Sequence, residues 1–182
     1  SCVPAVKQPR ALLTNDIDAL ITAIRYATYN DALETTLKCP KCTHENTFKL
    51  DLQYALDNMT ELEPEYVVNL DSGLSVFVKP YAFPELLKAL HSQFEQTKLT
   101  RAIASEQLSD EKRSEIFTKS FKEIAITKFE LMTAGVAKVV DESQGINVND
   151  PKFIKDFLQN IDKKSVDKIA DLIDEINQIG IK

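Results

Sequence analysis

Cys39 and Cys42, at the spacing C-x-x-C, are the residues of this chain best placed to do chemistry. Thr35-Thr36-Leu37-Lys38 before them and Asn46-Thr47-Phe48-Lys49-Leu50-Asp51-Leu52 after them alternate as β-strands do, so Pro40 and Lys41 fall at a chain reversal. Such a knuckle lets two thiolates converge on one zinc ion, which needs two further ligands to close a tetrahedral shell. The pair therefore reads as half of a structural zinc ribbon. A redox C-x-x-C opens a helix, whose dipole lowers the thiolate pKa. Here strand-like sequence follows, which disfavours redox chemistry and leaves a plain reduced or disulfide-linked pair as the alternative.

No other residue obviously supplies the missing ligands. His44 lies two residues past Cys42 on the strand leaving the knuckle and is expected to face solvent. Cys2 is a ligand in principle, yet its proline-flanked terminus suits a free or buried thiol equally well. His91 falls on a predicted helix as an ordinary surface or boundary residue. Enzyme signatures are missing: the sequence has no Gly-rich phosphate loop, no G-x-S-x-G, no H-E-x-x-H and only two histidines. A catalytic zinc with a bound water needs three protein ligands and an open position, and too few candidates exist. The acidic groups, such as Asp16 with Asp18 or Asp171 with Asp174 and Glu175, read as solvated faces and helix-start charges.

Composition narrows the partners. With 22 Lys plus Arg against 28 Asp plus Glu the net charge is -6, so there is no basic excess to neutralise phosphates and nucleic-acid binding is not expected. No apolar run approaches the roughly 18 residues of a membrane span, and the N-terminus lacks a secretion pattern. A soluble protein made inside the cell is expected, with its three cysteines in a reducing compartment. Neither a membrane partner nor a small-molecule substrate is indicated.

The elements that must position the knuckle follow from periodicity. Ile17, Leu20, Ile21 and Ile24 recur at helical spacing behind Thr14, a candidate N-cap, and this helix ends near residues 29–31. Arg25 lies beside that stripe, as a surface charge or as an anchor for a carboxylate or carbonyl. Leu37, Phe48, Leu50 and Leu52 alternate as a half-buried ribbon would. A linker-like stretch at 57–64 precedes a second hairpin, with strands at 66–70 and 74–78 around Asp71-Ser72-Gly73. From residue 85 onward the period is helical: about 85–105, 110–141, 151–161 and 166–179. Ser109 and Asp150 are caps, Pro151 a helix start and Gly180 a stop. The predicted architecture is α+β: an N-terminal helix plus two β-hairpins over 1–80, and a C-terminal helical bundle of three to four helices over 81–182. The stripe from Phe117 to Val139, with Phe153, Phe157 and Leu158, offers more apolar area than such a bundle needs, which points to an assembly surface.

The order of these motifs resembles the baseplate hub and hub-assembly proteins of contractile-tailed, T-even-type bacteriophages. The resemblance is carried by the helix from Asp16-Ile17-Asp18-Ala19-Leu20 through Ala23-Ile24-Arg25-Tyr26-Ala27, then Cys39-Pro40-Lys41-Cys42, Val68-Asn69-Leu70-Asp71-Ser72-Gly73 and Val76-Phe77-Val78-Lys79-Pro80. It covers roughly residues 12–80 and extends more weakly to Pro151-Lys152-Phe153-Ile154 and the helix beyond. It implies a non-enzymatic virion structural or assembly role, with contacts to other phage tail baseplate proteins and self-association as an option. The implied location is the host cytoplasm during assembly and the tail baseplate of the virion. Thr43 departs from the glycine usual after a knuckle. In the resembled family a second cysteine pair can follow the last helix; this sequence opens at Ser1 and stops at Lys182 without one, so a longer natural chain is expected. The rival reading is a zinc-ribbon adaptor in transcription or RNA metabolism.

Overall fold

A computed structural model describes residues 3–29, 33–59, 61–104 and 109–178. The elements run α1 (Thr14–Tyr29), β1 (Leu33–Lys38), β2 (Glu45–Leu50), α2 (Leu52–Asp57), β3 (Tyr66–Asn69), β4 (Ser75–Val78), α3 (Phe83–Ala104), α4 (Asp110–Gly135), β5 (Val136–Asp141), β6 (Ile146–Val148), α5 (Pro151–Asn160) and α6 (Lys163–Ile176). The fold is α+β, with an N-terminal helix, two small antiparallel sheets and helices in the C-terminal half.

The body is built on a four-stranded sheet in the order β3-β4-β5-β6. Gly73, at φ +86°, closes the β3–β4 turn where a side chain would be strained. One sheet face carries Val68, Val76, Val78, Val136 and Val139, and α5, α6 and the end of α4 bury it with Leu131, Met132, Ile154, Leu158, Ile169, Ile173 and Ile176. The other face is solvated: Lys138 lies 4.3 Å over the Phe77 ring and reaches Glu65 at 2.7 Å. Residues on both sides of position 80/81 thus share one sheet and one core.

The predicted helix over 110–141 is corrected here. Helix α4 ends at Gly135, and Val136–Asp141 pairs with β4, setting Val139 opposite Val76 and Val140 opposite Ser75. Two physical causes act at this point. A Cβ on Gly135 would stand 2.9 Å from Ile173 Cδ1, so the backbone can run this close to α6 only without a side chain. The valines that follow are β-branched and fill the sheet face that α6 covers. Asp141 Oδ1 then accepts from the Ser143 N–H and hydroxyl and from the Gln144 N–H, which turns the chain into β6. The four C-terminal helices are therefore interrupted by a β-hairpin and do not form a bundle apart.

Smaller differences concern caps and burial. Thr14 is not a side-chain N-cap: it is fully buried, and its N–H and hydroxyl both donate to the Tyr81 carbonyl at 3.1 and 3.2 Å, tying α1 to the segment after β4. Asp51 caps α2 through the Tyr54 N–H, so Leu52 starts a helix instead of extending the ribbon. Ser109 and Asp150 cap α4 and α5 as predicted, and Asp162 caps α6 three residues earlier than the periodicity placed it. The predicted helix ends at 30–31, 105 and 179, and the stop at Gly180, lie outside the described residues.

Two elements project from this body. The β1–β2 ribbon packs chiefly on itself, and its burial pattern is almost wholly exposed. Helices α3 and α4 form an antiparallel pair of 22 and 26 residues, roughly 33 and 39 Å long at about 1.5 Å per residue. Among their described residues, Leu86 and Ser92 on α3 and Leu131, Met132 and Gly135 at the end of α4 are buried, with Ala89 and Phe129 packed against the core.

Candidate functional site

The ribbon separates its side chains cleanly. The register sets Glu34 opposite Lys49, Thr36 opposite Thr47 and Lys38 opposite Glu45. Ion pairs at 3.1 and 3.2 Å and a Thr36–Thr47 hydroxyl contact at 3.2 Å make this face polar. Because side chains alternate, the opposite face takes Leu33 with Leu50, Thr35 with Phe48, and Leu37. On that face Leu37 is 58% exposed, and Phe48 and Leu50 are 48% exposed. The predicted half-buried ribbon thus has its apolar face open to solvent among the described residues.

The knuckle closes the far end. Cys39 N–H donates to the His44 carbonyl at 2.9 Å, adding one rung to the ladder, and Thr43 N–H donates to the Cys39 carbonyl at 2.9 Å. Thr43 adopts φ +57°, and its hydroxyl donates to the Cys42 carbonyl at 2.7 Å. It is the one non-glycine in the left-handed region among the described residues, at the position where a knuckle usually has glycine. The Cys42 backbone N–H, then the Lys41 N–H and the Cys42 thiol, donate toward the Cys39 sulfur and hold its pKa below the ordinary thiol value. Both cysteines are free thiols, Cys39 half-buried and Cys42 exposed.

This arrangement can offer two sulfurs to a soft divalent cation. It offers no more: no group of three or more metal-ligating side chains occurs among the described residues. His44 is exposed beside the turn and does not complete such a group, and His91 sits on the exposed side of α3. Cys2 lies outside the described residues. Arg25 is exposed and stacks over Tyr29 on its own helix at 4.9 Å, so its partner is an aromatic ring.

The apolar stripe singled out in the sequence divides. Leu158, Val136 and Val139 are core, while Phe129 and Phe157 pack against it. Phe153 is 64% exposed on α5, and Phe117 and Phe121, stacked at 5.7 Å, lie open on α4. Phe94, 62% exposed on α3, has Lys98 over its ring at 5.8 Å.

One electrostatic feature was not read from the sequence. Lys164 and Lys168, one turn apart on α6, each reach Asp71 at 2.8 Å. Their hydrogen bonds and charges bring the Asp71 carboxyl down to about 2. This pins the β3–β4 turn to α6. The i, i+4 lysine spacing was visible in the chain, but its partner lies 93 residues away. Burial, reinforced by Asp174 and Glu85, pushes the Tyr81 phenol above its ordinary value. Among the described residues no helix is long and apolar enough to cross a membrane.

No curated protein and no solved structure gives a significant match to this chain. The model of a family described as T4 bacteriophage base plate protein matches residues 1–182, and the chain belongs to that family.

Proposed function

We propose that this base plate protein works in the central hub of the contractile tail as a non-enzymatic structural or assembly component, acting through contacts with other baseplate proteins and with copies of itself. It would assemble in the host cytoplasm and be carried into the tail baseplate. The observation that carries the reading is the apolar surface on the α3–α4 arm. Phe94, Phe117 and Phe121 lie outside the core that holds the body together. An exposed aromatic gains roughly 1.5–3 kcal/mol when buried, so a few of them can anchor an interface while costing the isolated subunit little.

Cys39 and Cys42 belong to the same proposal as two ligands of a structural zinc. A two-stranded ribbon is at best marginally stable alone, and a metal at its tip would stabilise it in place of a core. The knuckle turn, with backbone N–H groups directed at the Cys39 sulfur, supports that role.

The test uses the full chain and the other tail proteins of infected cells. Phe117→Ala with Phe121→Ala should leave the unfolding midpoint of the isolated protein within about 1–2 °C and weaken partner capture tenfold or more. Unchanged capture by the folded double variant would remove the arm from consideration.

A further inference from the structure

We infer that one face of the α3–α4 arm pairs with the same face of a second copy, the two arms antiparallel, to close a four-helix bundle. The inference rests on the reading of the arm as an assembly surface and goes beyond it by naming what covers that surface.

Charge sorts the two broad faces of the arm. Lys88 on α3 and Glu130 on α4 border the cleft on one side of the pair. At intervals of three and four residues that side continues with Glu95 and Lys98 on α3 and with Glu123 and Lys119 on α4. It is a solvated, charged face. On the other side Gln93, Gln96, Lys128 and Phe129 line the groove between α3, α4 and α6. The same intervals carry that side through Thr97 and Thr100 on α3 and through Ala125, Phe121, Thr118 and Phe117 on α4. Between Lys128 at the root and Glu111 near the far end, these α4 positions bear no charge. The hydroxyls of Thr97, Thr100 and Thr118 donate to the carbonyls of Gln93, Gln96 and Ser114 at 3.0, 3.0 and 2.9 Å, which leaves their methyl groups outermost. Few charges around exposed aromatics is the composition of an interface centre.

The ends of this face select a second copy as its occupant. Neither Glu111 nor Lys128 enters an ion pair among the described residues. A two-fold axis across antiparallel arms sets each Glu111 beside the other copy's Lys128, whereas parallel arms set like charges together. The axis then falls among Phe117, Thr118 and Phe121, so the aromatics meet at the centre, where anchors contribute most. Two helices side by side offer a face about 33 Å long and about 20 Å wide, or roughly 1,300 Å² over both copies, within the ~1,200–2,000 Å² of a stable complex. The groove at the root, about 740 Å³, has room for the far end of the second arm. Ser92 lines that groove, and its buried hydroxyl has no partner among the described residues, so an arriving segment finds a hydrogen bond to make there. Two such hairpins stacked face to face are a four-helix bundle.

Sedimentation equilibrium of the reduced full-length protein reads the association directly. The expected mass is that of two chains, falling to one on dilution. Ala125→Glu, at an exposed position and with a good helix former, should weaken pairing at least about tenfold without loss of helix content, while Lys119→Glu on the charged face should change neither. Lys128→Glu should weaken it about tenfold, and adding Glu111→Lys to the same chain should restore it to within about threefold. Additive losses in the doubly reversed chain would overturn the antiparallel seam, as would a dimer indifferent to Ala125→Glu. A single-chain mass up to about 0.1 mM would overturn self-pairing altogether. If Phe117→Ala with Phe121→Ala then still lowers capture of other tail proteins, the arm remains an assembly surface with a different occupant; if it does not, the assembly reading of the arm falls as well.

Discussion

Replacing Gly135 by alanine tests why α4 stops where it does. The added Cβ would stand 2.9 Å from Ile173 Cδ1 and 3.2 Å from both its Cγ1 and Cγ2. Ile173 is 1% exposed and belongs to the core that joins α6 to the sheet, so it has no free space to swing into. Overpacking of this kind costs about 1–3 kcal/mol. Alanine recovers at most about 1 kcal/mol of helix propensity, and less at the last residue of a helix. The expected net loss is on the order of 1–2 kcal/mol, or roughly 2–8 °C in Tm at about 2–4 °C per kcal/mol. Ile173→Val removes the nearest atom and alone should cost about 0.5–1.5 kcal/mol. If the contact is the cause, the double variant will be more stable than the sum of the singles by at least about 0.5 kcal/mol. Urea unfolding of the four proteins measures this. Additive losses, or a Gly135→Ala protein more stable than the parent, would refute the steric account of the helix end.

Acid titration tests the Asp71 clamp. The Asp71 carboxyl sits at about 2 in the folded protein, below an unfolded value of about 3.9. Its stabilisation is therefore complete above pH ~4 and is lost as pH falls from there through about 2. Between those limits Tm should fall more steeply for the parent than for Asp71→Asn, with the two curves converging at the acid end; parallel curves would exclude the clamp. In the knuckle, Thr43 holds a left-handed backbone that costs a β-branched residue on the order of 1 kcal/mol. Thr43→Gly should accordingly slow amide exchange at Cys39 and Leu37 roughly fivefold, and unchanged or faster exchange would mean that the Thr43 hydroxyl bond to Cys42 offsets the strain.

What the sequence disclosed, and what it hid, divides along the range of the interactions. The β1–β2 hairpin, the β3–β4 turn and the caps at Ser109 and Asp150 depend on residues a few positions apart, and each was legible. The family was legible from the order of such local motifs. The end of α4 was not, because Gly135 ends the helix through Ile173, 38 positions later and on another element. The residues from Val136 to Asp141 lie within an apolar pattern that helix and strand periods fit about equally over so short a run. The valine content and the Asp141–Gly145 turn were the available signals for a hairpin. Asp71 with Lys164 and Lys168 was hidden for the same reason. Exposure was the other blind spot: alternation at Leu37, Phe48 and Leu50 correctly gave one apolar face, but a pattern does not say whether the chain itself covers that face.

The distribution of burial constrains how such a molecule can work. Val76, Val78, Ile154, Ile169 and Ile173 are the deepest apolar side chains, and all lie in the sheet and the helices over it. Substitutions there should change global stability, because every opening that exposes them is close to complete unfolding. The ribbon is opposite in character: it has six cross-strand pairs, two exposed ion pairs and little contact with the body. Cross-strand pairs contribute only about 0.2–1 kcal/mol each, and exposed ion pairs less than about 1 kcal/mol. Ordering that segment has a conformational cost of about 1–2 kcal/mol per residue, which those side-chain terms alone do not meet. A ligand that binds only the folded ribbon therefore stabilises it directly, by mass action, while the body needs no such help.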